Sequence, residues 1–585
     1  MRPLLKRALP VPMLALLLAT GAPATAAPAG PADGQLERLA DEYLDGWLAR
    51  RPDLATRFGL HRDDALLVPV SQATLAEDAA RVRSLQARLA AIPRDRLSSG
   101  RALDRDLLAA RLARARLDLE ALRPFERAPG AYLELVAGSV QSLLERDSAS
   151  PCSRVRAVAA RLELVPEVLR AARINLRDPS RLAIEEAIER FEGTLRLYRE
   201  ALPALAAHCR DERAQADFAE ADTTAIRAVE DFLAVLREDL LPHATDDFAA
   251  GDQALRGLIA ADEHERISPD SLRAAGEVEM DSTRARMVRL AGRITPGGGV
   301  PAALDSLRAH APAETALVAT MSSAVAGVRA FLGRHAIVTP PERENLRVRE
   351  APPFARAADR IALDAPGPWE REGAEAGLEL VPIGSGWSEE RRREHLSLFD
   401  PWSAAVAAIH EAVPGRYHQA LAARRAPSRL RRAVDCAESV HGWADYCEAM
   451  MIEQGFGGGD PRYGFAQQAI ALRRLGRFIA AIDLHTRQAT LEQAAAMLEA
   501  RCYLSPAEAL REARRAALDL EHAIAGTVGR WRLLWLRGEL ERALGPRFQL
   551  RAFHDAFLRL GRVPLRAARA ALLRELVGGP EGRKP

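Results

Sequence analysis

From Gln35 to about Arg334, apolar residues return every three or four positions, and this period leaves little but a helical architecture open. Leu36, Leu39, Tyr43 and Trp47 mark one such face, and Ile184, Ile188, Phe191 and Leu195 another. Prolines at 93, 151, 179, 203 and 242 punctuate the pattern, and Ser268-Pro269-Asp270 has the form of a helix start. Composition agrees: Ala, Leu, Arg and Glu abound and aromatics make up 5%. An apolar share of 48% excludes a disordered chain.

The period breaks near Val338. Residues 338–386 carry the extended signals Leu346-Arg347-Val348-Arg349, Arg360-Ile361-Ala362-Leu363 and Leu378-Glu379-Leu380-Val381, separated by Pro and Gly clusters. Helix then resumes to the C-terminus, with Ser505-Pro506-Ala507-Glu508 as a capping box. The expected fold is mainly α, with a small β-sheet beside the helices that follow it. The expected division is a leader over 1–26, a helical region over 27–337 and a C-terminal region over 338–585, with its sheet at 338–386 and its motif helices at 399–455.

The leader reads as a secretory signal peptide. Arg2, Lys6 and Arg7 precede an apolar stretch from about Ala8 to Gly21, and Ala24-Thr25-Ala26 offers small residues for cleavage. No Cys lies nearby to accept a lipid. Cleavage after Ala26 removes three positive charges from a formal net charge of +2. No later uninterrupted apolar run reads as a membrane span, so the expected address is exported and soluble, periplasmic or extracellular. Lys occurs only at Lys6 and Lys584, so 80 of the 82 basic residues are Arg, yet the near-neutral balance excludes an electrostatic nucleic-acid binder. Export permits disulfides. Five cysteines (Cys152, Cys209, Cys436, Cys447, Cys502) without a C-x-x-C pair read mostly as buried thiols, at least one of them unpaired in a monomer.

The stretch that carries chemistry is His410-Glu411-Ala412-Val413-Pro414-Gly415-Arg416-Tyr417-His418-Gln419. It opens like H-E-x-x-H, in which two His one helical turn apart reach one metal and the Glu activates bound water. The fourth position after His410 is Pro414, which offers no ligand. The segment resembles a family of bacterial exported proteins, domain-of-unknown-function family 885, whose pattern is His-Glu-Ala-x-Pro-Gly-His-Tyr followed by Gln. A second family pattern, Glu-Gly-Trp-Ala-x-Tyr-x-Glu, corresponds to His441-Gly442-Trp443-Ala444-Asp445-Tyr446-Cys447-Glu448. Further matching pieces are Glu350-Ala351-Pro352-Pro353-Phe354, Pro366-Gly367-Pro368-Trp369, Pro427-Ser428-Arg429, Leu484-His485-Thr486 and Phe553-His554-Asp555.

The resemblance implies a zincin-like C-terminal half and an exported, zinc-dependent, peptidase-like hydrolase acting on a peptide or a small amide or ester. It implies metal ligands at 410, 416 and 441, with Glu411 as general base. Arg416 stands where the family has His, and His441 where it has Glu. A guanidinium has no lone pair for a metal, but it could replace the metal's charge and pair with Glu411. Two readings stay open. In one, the ligands are rearranged to His410, His441 and Asp445, since His441, Asp445 and Glu448 share a helix face at i, i+4 and i+7. In the other, the chain is an inactive relative that uses the same cleft to bind a peptide or a protein partner. Arg416, Tyr417, His418, Glu448, His485 and His554 are expected at or behind the cleft. For His485 and His554 the alternative is a hydrogen-bonded core histidine. His418, eight residues from His410, would lie about 12 Å along a straight helix.

Overall fold

The computed structural model describes residues 30–578, apart from 69, 146–148, 264–266 and 352–360. The leader, Pro352, Pro353, Phe354 and Arg360 lie outside the described residues. The periodic stretches are helices: Pro31–Arg50 buries Leu36, Leu39 and Tyr43, and Arg181–Arg196 buries Ile184, Phe191 and Leu195. Ser268 caps the helix Pro269–Ile294 by accepting from the Ser271 amide. Ser505 and Glu508 close a reciprocal capping box on Pro506–Leu518.

Three strands form the sheet: β1 Leu346–Glu350, β2 Ala362–Asp364 and β3 Ala376–Leu380. The order is β1-β3-β2, with β3 parallel to β1 and antiparallel to β2. Arg349 on β1 spans the sheet, donating to Glu379 on β3 at 2.8 Å and to Asp364 on β2 at 3.2 Å. β3 is buried throughout and sends Ala376, Leu378 and Leu380 into the core that also takes Ala408 and Ile409. The sheet packs on helix Leu317–Arg334, which packs in turn on the helix Pro401–Glu411.

Among the described residues, three hydrophobic cores organise the chain. One joins the first helices (Leu36, Leu44, Leu107) to the sheet and to the C-terminal helices (Trp443, Phe553, Leu572), so it runs across residue 338. A second gathers Met280 and Phe478 with the helices after 490. The third fills a bundle within 132–236, where Phe191, Phe232 and Tyr198 are fully buried. Cys152 and Cys209 of that bundle form a disulfide, and Cys436, Cys447 and Cys502 are buried thiols. The stretch Glu314–Arg334, with an 18-residue window of mean hydropathy 1.5, is long and apolar enough to cross a membrane by length and composition. Its Met321, Val325, Val328 and Leu332 are buried in the first core.

Candidate functional site

The helix carrying His410 is nucleated by Asp400, whose carboxylate accepts from the amides of Trp402 and Ser403 at 3.0 Å, with Pro401 in the first turn. It ends at Glu411. The chain then turns so tightly that a Cβ on Gly415 would collide with the His410 and Ile409 carbonyls, so only glycine fits. Trp443 fixes the turn by donating to the Pro414 carbonyl at 2.8 Å. Helix restarts at Arg416, and this restart turns Arg416 back onto the preceding helix. Its guanidinium meets Glu411 at 3.4 Å.

Across from it runs Ala437–Glu453, pressed against Leu520–Leu544 at Gly442 and Gly529, where a Cβ on either would strike the other's backbone. On this helix His441, Asp445 and Glu448 face one cavity of about 330 Å³, together with His410, Glu411 and Arg416. His410 Nδ1 lies 2.7 Å from Glu448 and 3.6 Å from Asp445, and its Nε2 lies 3.8 Å from Glu411. One ligand atom each from His410, Asp445 and Glu448 falls within 4.8 Å of the others. His441 is outside that group; its ring meets His522 edge-on with centroids 4.4 Å apart.

The residue that organises the cluster is Arg474, on the helix Pro461–Thr486. It donates to both oxygens of Glu448, at 2.6 and 2.8 Å, and pairs with Asp445 at 2.9 Å. Its Nη2 stands 3.2 Å from His410 Nδ1. Burial would raise the Glu448 carboxyl, but Arg474 and the His410 hydrogen bond outweigh it and hold it at about 2. Burial likewise opposes the charge on Arg474, and Asp445 and Glu448 overcome it and raise its pKa. His441 goes the other way: burial, then the charges of His522 and Arg416, push it well below the usual imidazole value.

This arrangement answers whether a metal fits. The donor set is suitable in type, one imidazole and two carboxylates. Both carboxylates, however, already ligate a guanidinium that stands against the same His nitrogen. A divalent cation would add charge beside Arg474 and Arg416, so the residues as arranged do not fit a resident metal.

Four of the residues expected at or behind the cleft do not line the cavity. Tyr417 is buried and accepts from the Asn345 amide at 2.9 Å, tying the turn to the sheet. His418 is buried away from the cavity, and burial pushes its pKa down to about 4. His485 accepts from the Ala250 amide at 3.0 Å and donates to the Ala516 carbonyl. His554 donates to the Ile337 carbonyl and accepts from Tyr446, each at 2.8 Å. These are packed, hydrogen-bonded residues that hold the site's scaffold. The reason is directional: the helices on which they sit turn those positions away from His410. Conversely, Arg474 and His522 line the cavity without having been singled out. No motif marks Arg474 among 80 arginines, whereas His522, three residues into a helix that packs on His441, carried a readable type but no readable neighbour.

The chain resembles known proteins along nearly its whole length. A solved structure described as "a putative lipoprotein of unknown function from Shewanella oneidensis" superposes with a TM-score of 0.76 at 24% identity, covering 92% of this chain and 99% of that one. A second, "the putative lipoprotein from Colwellia psychrerythraea", gives 0.78 at 17% identity over 94% and 99%. At these identities the likeness concerns the fold. No curated protein matches. The family pattern described as "Bacterial protein of unknown function (DUF885)" matches residues 52–572, and the chain belongs to that family.

Proposed function

We propose that this chain is a non-catalytic member of its family that uses the His410 cavity to bind a peptide or a segment of a protein partner. One observation carries the reading. The carboxylates that a metal or an activated water would need are held by guanidiniums: Asp445 and Glu448 by Arg474, and Glu411 by Arg416. The site is thereby charge-balanced from within the chain. A general base must be free to take a proton from water, and here a Glu411 carboxylate oxygen already faces the Arg416 guanidinium at 3.4 Å.

The second reading, a metal-dependent hydrolase with Glu411 as base, is favoured by the His410, Asp445 and Glu448 ligand atoms, which lie within 4.8 Å of one another. It requires Arg474 to leave both carboxylates when zinc binds. An exported address is part of the proposal in either case. The Cys152–Cys209 disulfide suits an oxidising compartment, and the superposed structures are described as lipoproteins.

Elemental analysis of the full chain, purified without chelators, separates the two. The binding reading expects metal far below one ion per chain and an unchanged thermal midpoint on adding zinc. It also expects no cleavage of a mixed peptide pool beyond that of Glu411→Gln. Stoichiometric zinc that is lost in His410→Ala would overturn it.

A further inference from the structure

The cavity is not electrically uniform. Its inner end holds the Arg474 cluster. Toward the helix Pro506–Leu518 it is lined by Arg473, Arg477 and Arg515, and across from them by Arg308. Carboxylates are fewer here and already engaged. Glu512 is shared, 2.9 Å from Arg477 and 2.9 Å from Arg515, and Arg473 reaches Glu508 at 3.1 Å. Among the described residues Arg308 meets Asp305 at 3.4 Å. Arg477 shows the imbalance. Burial, together with the neighbouring charges of Arg515, Arg474 and Arg473, outweighs Glu512 and lowers its pKa. Its Nε is the atom that meets Glu512, in an ion pair at 2.9 Å. The bank continues into an adjoining groove, where Arg391 and Arg511 face Glu394, itself held by Arg511 and Ser505. The same cavity is also lined by the apolar Leu304, Leu307, Leu398 and Ile470.

We infer that the ligand of this cavity is a short acidic peptide, with a carboxylate on the Arg473, Arg477 and Arg515 bank and an apolar side chain against the apolar lining. The inference rests on the binding reading above and names its ligand class. The physical basis is simple. Guanidiniums crowded around too few carboxylates repel one another, and a planar oxyanion that accepts from two of them removes the repulsion and completes their hydrogen bonds. The apolar lining favours a ligand with a side chain over a bare inorganic anion.

The test uses the full chain and fluorescence anisotropy. The probe is a dye-labelled pool of mixed-sequence pentapeptides ending in two glutamates with a free carboxyl terminus. The control is the same pool ending in two glutamines with an amidated terminus. The acidic pool should bind at least about tenfold more tightly than the control. Arg515→Gln and Arg308→Gln should each cut that preference several-fold with an unchanged thermal midpoint, since Glu512 keeps Arg477 in the first and the Arg308 contact to Asp305 is long in the second. Equal binding of the two pools would overturn the acidic ligand and leave the binding reading standing. Binding of neither pool would overturn both. Displacement of the acidic pool by inorganic phosphate at equal concentration would overturn the carboxylate in favour of a phosphate.

Discussion

The bundle within 132–236 and the region around His410 both bury charge, and they treat it in opposite ways. In the bundle, the buried Arg161 and Asp222 form no ion pair among the described residues, although exposed pairs such as Arg156 with Asp211 are present. Arg161 is fully buried and donates only to carbonyls and hydroxyls, among them Thr56 at 2.6 Å and the Pro52 carbonyl at 3.2 Å. Burial lowers its pKa. Asp222 is buried with one oxygen unpartnered, and burial raises its carboxyl to about 6. Around His410, charges are cross-linked, so Glu448 is driven down and Arg474 up. The same low-polarity surroundings thus suppress ionisation in one region and reinforce it in the other. The lesson is that burial alone does not mark a functional site. What distinguishes the cavity is several opposite charges held within hydrogen-bond reach of one histidine.

The sharpest way to break this contrast is to make the site resemble the bundle. Arg474→Met should leave Asp445 and Glu448 buried with His410 as their remaining partner and no guanidinium to balance them, with a loss of about 3–5 kcal/mol in unfolding free energy. Adding Asp445→Asn and Glu448→Gln to it should recover most of that loss in denaturant titrations. Recovery of the single variant by zinc instead would show that the cluster accepts a metal once the guanidinium is gone, in favour of the hydrolase reading.

The bundle can be loosened without touching the site. Replacing Cys152 and Cys209 by serine opens a cross-link over a separation of 57 residues. It should cost about 2–4 kcal/mol. Reductant should then lower the thermal midpoint of the parent chain and leave that of the double variant unchanged.

The smallest effect concerns Asp222. Its folded pKa lies above the value of 3.8 for a free carboxyl, so folding favours the protonated form. Its contribution is therefore fully present below about pH 4 and is lost as pH rises through about 6. Asp222→Asn should stabilise the chain by about 1 kcal/mol at pH 8 and change nothing at pH 3.5, as read by thermal unfolding across that range.

Much of this was legible in the sequence, for identifiable reasons. Leu36, Leu39 and Tyr43 repeat at the helical period because a helix with one buried face admits little else. β1 announced itself by alternation, and so did β3 at Leu378-Glu379-Leu380, although it is buried throughout. His441, Asp445 and Glu448 were readable as one face because their spacing is a property of a single helix. The pairing of Arg416 with Glu411 was also within reach, since five residues and a Pro-Gly turn separate them. His554 and His485 were not readable, because a histidine in a motif looks the same whether it faces a cavity or a carbonyl.

The helices, the motif and its local register could be read along the chain, because each depends on neighbours within a few turns. What the motif faces depends on how distant helices pack. Arg474 lies 64 residues from His410 and 26 from Glu448. Its arrival between them depends on how the helix Pro461–Thr486 crosses two others. That crossing is set by side-chain packing over the whole core and leaves no periodic trace in the chain. The charge that balances the site therefore comes from a helix on which no motif pointed.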